Sequence, residues 1–79
     1  MTLDNLERGT PARIVSIDWS VLSEADGKRL RALGIDEGAE VAVGHRGMFG
    51  GRDPLSIRIG RAEIAVRRAH ALAMTVEGL

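Results

Sequence analysis

Ser23-Glu24-Ala25-Asp26-Gly27-Lys28-Arg29-Leu30-Arg31-Ala32-Leu33-Gly34-Ile35-Asp36-Glu37-Gly38-Ala39-Glu40-Val41-Ala42-Val43 contains a helix with marked ends, a tight turn and the start of a strand. Ser23 offers an N-cap hydroxyl. Asp26, three residues on, approximates a capping box, with Asp in place of the usual Glu or Gln. Glu24 precedes Lys28 by four, a favourable helical pair. Leu22, Ala25, Leu30 and Leu33 are expected to share one face, while Gly27 weakens the helix by roughly 1 kcal/mol relative to alanine. Gly34 is the expected left-handed residue after the last turn, and Ile35 folds back on Leu30. Asp36-Glu37-Gly38 then makes a tight turn with Gly38 at positive φ. Val41 and Val43, alternating with Glu40 and Ala42, form a strand.

On the N-terminal side, Ala12 to Ile17 is rich in β-branched residues and reads as a strand that Asp18-Trp19-Ser20 ends. Leu3 and Leu6 have helical spacing, so Thr2 to Glu7 is expected as one turn whose leucines cap the core. On the C-terminal side, four glycines between Gly44 and Pro54 mark a loop between two strands. Leu55, Ile57 and Ile59 alternate with polar residues. Gly60-Arg61 fits a two-residue hairpin turn. Ala62, Ile64 and Val66 then face inward, with Glu63 and Arg67 outward. Ala69-His70-Ala71 suits a helical turn, and Leu72 to Val76 a last strand. The expected fold is mainly β: a small, partly open SH3-like barrel of about five strands with one inserted helix. A single domain over residues 1–79 is expected from the length.

Eleven basic residues balance eleven acidic ones, and the only aromatics are Trp19 and Phe49. Nucleic-acid binders usually carry a basic excess, and single-strand readers stack bases on aromatic platforms, so no nucleic acid is expected as partner. No cysteine is present, which removes disulfides and thiolate metal sites. No apolar run approaches the roughly 20 residues that span a bilayer. Residues 1–9 lack the basic-then-apolar order of a secretory signal. A soluble cytoplasmic protein without direct membrane insertion is expected.

No catalytic constellation is visible, and the chain is not expected to be an enzyme. The serines have no histidine nearby in sequence. The glycine-rich loop lacks the Gly-Lys-Ser/Thr ending of a phosphate loop. His45 and His70 lie far apart, outside any short ligand motif, and are read as ordinary surface or boundary histidines. Neither a metal site nor a cofactor is expected. Lys28, Arg29 and Arg31 lie on the outer side of the helix, where they either solvate a face or form an electrostatic docking patch. Met48 and Phe49, flanked by glycines and followed by Arg52, either present an apolar contact or fold back as a lid on the barrel. Trp19 is expected to be partly buried against Leu22.

The spacing Leu6-x-x-Gly9-x-x-Ala12-x-Ile14, then Leu30-x-x-Leu33-Gly34-Ile35-x-x-Gly38-x-x-Val41-x-Val43, then Asp53-Pro54, Ile57-x-Ile59 and Glu63-Ile64-Ala65-Val66-Arg67, resembles the ferrous iron transport protein A (FeoA) family over nearly the whole chain. The resemblance implies an SH3-like barrel in a bacterial cytoplasm. It also implies a partner, a large membrane ferrous iron transporter (FeoB-like) with a cytoplasmic GTP-binding domain, on which members dock to modulate it. Lys28, Arg29, Arg31, Met48, Phe49 and Arg52 are the residues expected to meet it. The same fold as the C-terminal domain of iron-dependent repressors leaves a metal-responsive regulatory role as an alternative, and fold analogy leaves a small nucleic-acid-binding barrel. Exposed edge strands leave room for weak homo-oligomerisation.

Overall fold

The structure, a computed structural model of the chain, describes residues 1–46 and 53–79, with His45 and Arg46 described in backbone only. Five strands, β1 (Ala12–Ile17), β2 (Glu40–Arg46), β3 (Leu55–Ile59), β4 (Ala62–Val66) and β5 (Met74–Gly78), form one antiparallel sheet in the order β4-β3-β2-β1-β5. Helix α1 (Glu24–Ala32) joins β1 to β2, and the four-residue helix α2 (Arg68–Ala71) joins β4 to β5. The sheet curls around one apolar cluster. Ile14, Val43, Ile57 and Val76 supply its centre, and Leu3, Leu30 and Ile35 cover it from outside the sheet. This is the expected small SH3-like, partly open barrel.

The ends of α1 form as their residues dictate. Ser23 Oγ accepts the Asp26 N–H at 3.0 Å. At the other end the Gly34 N–H donates to Arg31 O at 3.0 Å and the Ile35 N–H to Leu30 O at 2.9 Å. Those are the paired bonds of a Schellman closure, made possible by φ +104° at Gly34. Only half of the capping box forms, because the Asp26 carboxylate turns to His70 instead (Nε2 to Oδ2, 3.6 Å).

The inward face of α1 differs from the expected one. With about 3.6 residues per turn, Gly27 and Leu30 make its inward stripe, Leu30 in the core and Gly27 against the Trp19 ring. Gly27 and Leu30 are buried, whereas Ala25 and Leu33 are exposed. A Cβ at Gly34 would sit 3.1 Å from Ile59 Cδ1, so a side chain there would have to push the end of Ile59 aside.

Three strand readings also need correction. β2 continues through Gly44 to Arg46, where a loop was expected, because glycine is what fits under a neighbouring carboxylate. A Cβ at Gly44 would lie 2.4 Å from Glu63 Oε1, which itself accepts the Ser56 hydroxyl at 2.7 Å. β5 begins at Met74, since α2 and its last turn occupy residues 68–72 and leave Leu72 half exposed. On β4 only Val66 is fully buried, Ile64 is half-buried, and Ala62 lies outside at the hairpin. β1 has the expected bounds, with a register shift between Ile14 and Ser16 that exposes Val15 and returns Ile17 to the core.

The N-terminal turn contracts to Leu3–Asn5, and both Leu3 and Leu6 are buried as expected. Met1 and Thr2 run on beside β5, with the Val76 N–H donating to Met1 O at 2.8 Å. β1 itself pairs with β5 from Ala12↔Gly78 to Ile17↔Met74, so the first strand lies beside the last.

Candidate partner-binding site

Asp18 ends β1 by accepting the Ser20 N–H at 3.2 Å, and its own N–H donates to Ala73 O at 2.9 Å. The chain then makes one 3₁₀ turn over Trp19–Val21, which lays the Trp19 ring back on α1. The ring lies over Gly27, where a Cβ would stand 3.5 Å from Trp19 Cε3, at ordinary contact distance. One helical turn further, Arg31 holds its guanidinium carbon 4.0 Å from the ring centroid, a cation–π stack. The indole Nε1 is buried without a hydrogen-bond partner among the described residues. Packing and Arg31 therefore hold the half-buried ring.

Around the ring opens a groove of about 340 Å³, lined by Trp19, Leu22, Ser23, Glu24, Gly27, Lys28 and Arg31. Its floor is apolar and its rim is charged. Lys28 Nζ lies 3.6 Å from Glu24 and Arg31 Nε lies 3.9 Å from Asp36, both in exposed pairs. Such pairs contribute little and exchange readily.

Of the six residues expected to contact a partner, Lys28 and Arg31 stand together on this rim, and Arg29 is exposed on the same helix. Met48, Phe49 and Arg52 lie outside the described residues. Trp19 is half-buried as expected, packed against the core beside Gly27 and under Arg31, and Leu22 lines the same groove. The sequence did carry a signal for this arrangement, namely a glycine inside a capped helix shortly after the sole tryptophan.

A second polar cluster lies at α2. Asp53 Oδ1 accepts the Arg68 N–H at 3.0 Å, so the Asp53-Pro54 pair caps the short helix from a distant point in the chain. Asp4 is buried, accepts the Thr2 hydroxyl and stands 4.0 Å from Arg68 Nε. His70 was expected at the surface or boundary. It is 8% exposed, because α2 turns it inward against Asp26, and its Nδ1 has no partner among the described residues. Among those residues no three His, Cys, Asp or Glu side chains come together in a metal-ligating group. The side chain of His45 lies outside them.

A curled five-stranded antiparallel sheet with a capped helix between its first two strands defines the class of SH3-like barrels. The FeoA-domain family model matches residues 1–78, and the chain belongs to the FeoA family, which is associated with ferrous iron transport. Among solved structures, iron(II) transport protein A from Clostridium thermocellum is similar at 28% identity and TM-score 0.84. All of this chain matches 46% of that one, so the chain spans just under half the length of that relative. FeoA from Chlorobium tepidum is similar at 29% identity and TM-score 0.83, over 100% of this chain and 70% of that one. The zinc-complexed FeoA of Stenotrophomonas maltophilia, described as an SH3-domain protein, is similar at 34% identity and TM-score 0.75, over 98% and 89%. A manganese-dependent transcriptional repressor shares the fold alone, at 22% identity and TM-score 0.75, with 41% of its chain covered. Among curated protein sequences none matches.

Proposed function

We propose that this FeoA-family chain is a non-catalytic docking module of the cytoplasm that binds and modulates the cytoplasmic part of a membrane ferrous iron transporter with a GTP-binding domain, a FeoB-like protein. One observation carries the choice of surface: the only tryptophan lies half-buried in an open groove, held under Arg31 rather than sealed in the core. Tryptophan and arginine dominate the energetics of protein interfaces. An arginine already ordered on a ring loses less conformational entropy on binding. Lys28 and Arg31 exchange their weak partners Glu24 and Asp36 for carboxylates of the docking protein, while an apolar side chain enters beside Trp19 and Leu22. Arg29, and Met48, Phe49 and Arg52, are the further residues proposed to meet the partner.

No helix among the described residues is long and apolar enough to cross a membrane, which is compatible with reaching the transporter by docking. Trp19 is its own reporter. Titrating the full chain with the purified cytoplasmic GTP-binding part of a ferrous iron transporter should change Trp19 fluorescence saturably. The double variant Lys28→Glu/Arg31→Glu should bind at least about tenfold more weakly, each tenfold being about 1.4 kcal/mol. Unchanged affinity in that variant rules out the groove. Phe49→Ala tests the loop separately.

A further inference from the structure

Three cations stand on the outer side of α1, and Arg31 alone among them is held in place. Its Cζ lies 4.0 Å from the centroid of Trp19, a ring that itself packs against the core. The Arg31 side chain is 55% exposed, against 78% for Lys28, whose ammonium reaches only the exposed Glu24 at 3.6 Å. Arg29 has no ion-pair partner among the described residues. A guanidinium carries five N–H donors in one plane, set as forks that match a carboxylate. The Nε edge of Arg31 faces Asp36 Oδ2 at 3.9 Å, which is attraction without a hydrogen bond. The Nη1–Nη2 end is therefore an unused fork among the described residues, on a side chain that lines the groove.

We infer that Arg31 is the specificity-determining residue of the groove and that it reads one carboxylate side chain of the docking protein end-on. The Nη1–Nη2 fork and an Asp or Glu of the partner share one plane and make two parallel N–H···O bonds. Lys28 acts on the same partner only as a point charge, because its ammonium on a free stem imposes no plane. The Trp19 ring holds the guanidinium before the partner arrives, so the fork is preset and little side-chain order is lost on binding. This inference rests on the docking reading and adds to it the chemical group that is read and the residue that reads it.

The charges around the fork favour a carboxylate over a phosphate. Lys28 and Arg31 are each already opposed by one acid, Glu24 and Asp36. A singly charged carboxylate is matched by the guanidinium alone. A phosphate group, with about two negative charges, meets more repulsion from Glu24 and Asp36 than the two cations offset.

The test is stopped-flow binding of the full chain to the purified cytoplasmic GTP-binding part of a ferrous iron transporter, followed by Trp19 fluorescence. Arg31→Lys and Lys28→Arg both keep the net charge, so electrostatic steering and the association rate should stay within about twofold of wild type. Arg31→Lys should raise the dissociation rate at least about tenfold through loss of the bidentate pair, whereas Lys28→Arg should change it by less than about twofold. Inorganic phosphate should displace the partner no better than sodium chloride at equal ionic strength. An NMR contact between Trp19 Hε3 and the Gly27 Hα protons should persist in Arg31→Lys. Its loss would make Arg31 a mere support for the ring and overturn the inference. Wild-type dissociation in Arg31→Lys, an equal loss in Lys28→Arg, or specific competition by phosphate would each overturn it too. A wild type that does not bind refutes the docking reading itself. Binding that Lys28→Glu/Arg31→Glu abolishes and Arg31→Lys leaves unchanged refutes this inference alone.

Discussion

Replacing Gly27 by alanine should stabilise this domain even though Gly27 is buried against a tryptophan. Two terms act in the same direction. Gly27 lies inside α1, where glycine is about 0.8–1.0 kcal/mol less favourable than alanine. The added Cβ would meet Trp19 Cε3 at 3.5 Å and Cζ3 at 3.7 Å, which is contact without overlap. The methyl group therefore gains dispersion and loses water at no steric cost. A net gain of about 1 kcal/mol is expected. In a domain of this size that raises Tm by roughly 4–8 °C. The assay is thermal unfolding followed both by circular dichroism and by Trp19 fluorescence, whose coincidence tests for two-state behaviour. An unchanged or lowered Tm would refute the reasoning, because the ring would then need the space that glycine leaves.

The same substitution at Gly34 should act in the opposite sense. With φ +104° and Ile59 Cδ1 only 3.1 Å from the new Cβ, Gly34→Ala is expected to cost more than about 1 kcal/mol in urea unfolding. Asp53→Ala removes the carboxylate that holds the Arg68 N–H and should cost about 1 kcal/mol, with faster amide exchange at Arg68 as the local signature. Leu30→Ala empties a fully buried position and should cost about 2–5 kcal/mol, a large share of the stability of so small a domain. Its Tm should fall by more than about 8 °C. By contrast, Gly44→Ala displaces only the end of Glu63, so its cost should stay below about 1 kcal/mol and match that of Glu63→Ala.

The helix was legible because every signal for it is local. Ser23 caps it, Gly34 closes it, and Ile35 folds back, all within one short stretch. The two-residue hairpin at Gly60-Arg61 and the bounds of β1 were legible for the same reason. What escaped the sequence depends on residues distant in the chain. Gly44 reads as a loop residue until Glu63 is seen lying over it. Leu33 reads as core until the helix is seen to turn Gly27 and Leu30 inward and Leu33 to the surface. His70 reads as an ordinary surface or boundary residue until α2 packs it against Asp26. The candidate site divides in the same way. Lys28 and Arg31 were recognisable as an outward pair of cations. The ring that unites them arrives from the far end of β1, through a turn that Asp18 sets.

The neighbourhood of β1 and β5 has a consequence for how the protein is made. Residues 12–17 cannot find their longest strand partner until residues 74–78 have left the ribosome. Up to that moment the nascent chain can form α1 and the hairpin of β3 and β4, both local in sequence. Its barrel must stay open along one side of β1, with Ile14 and Ile17 uncovered. Closing a loop of nearly the whole chain length also makes the final step slow relative to helix and hairpin formation. Closure of this small barrel thus waits on its last strand, and the interval before it is when the nascent chain most needs protection from aggregation.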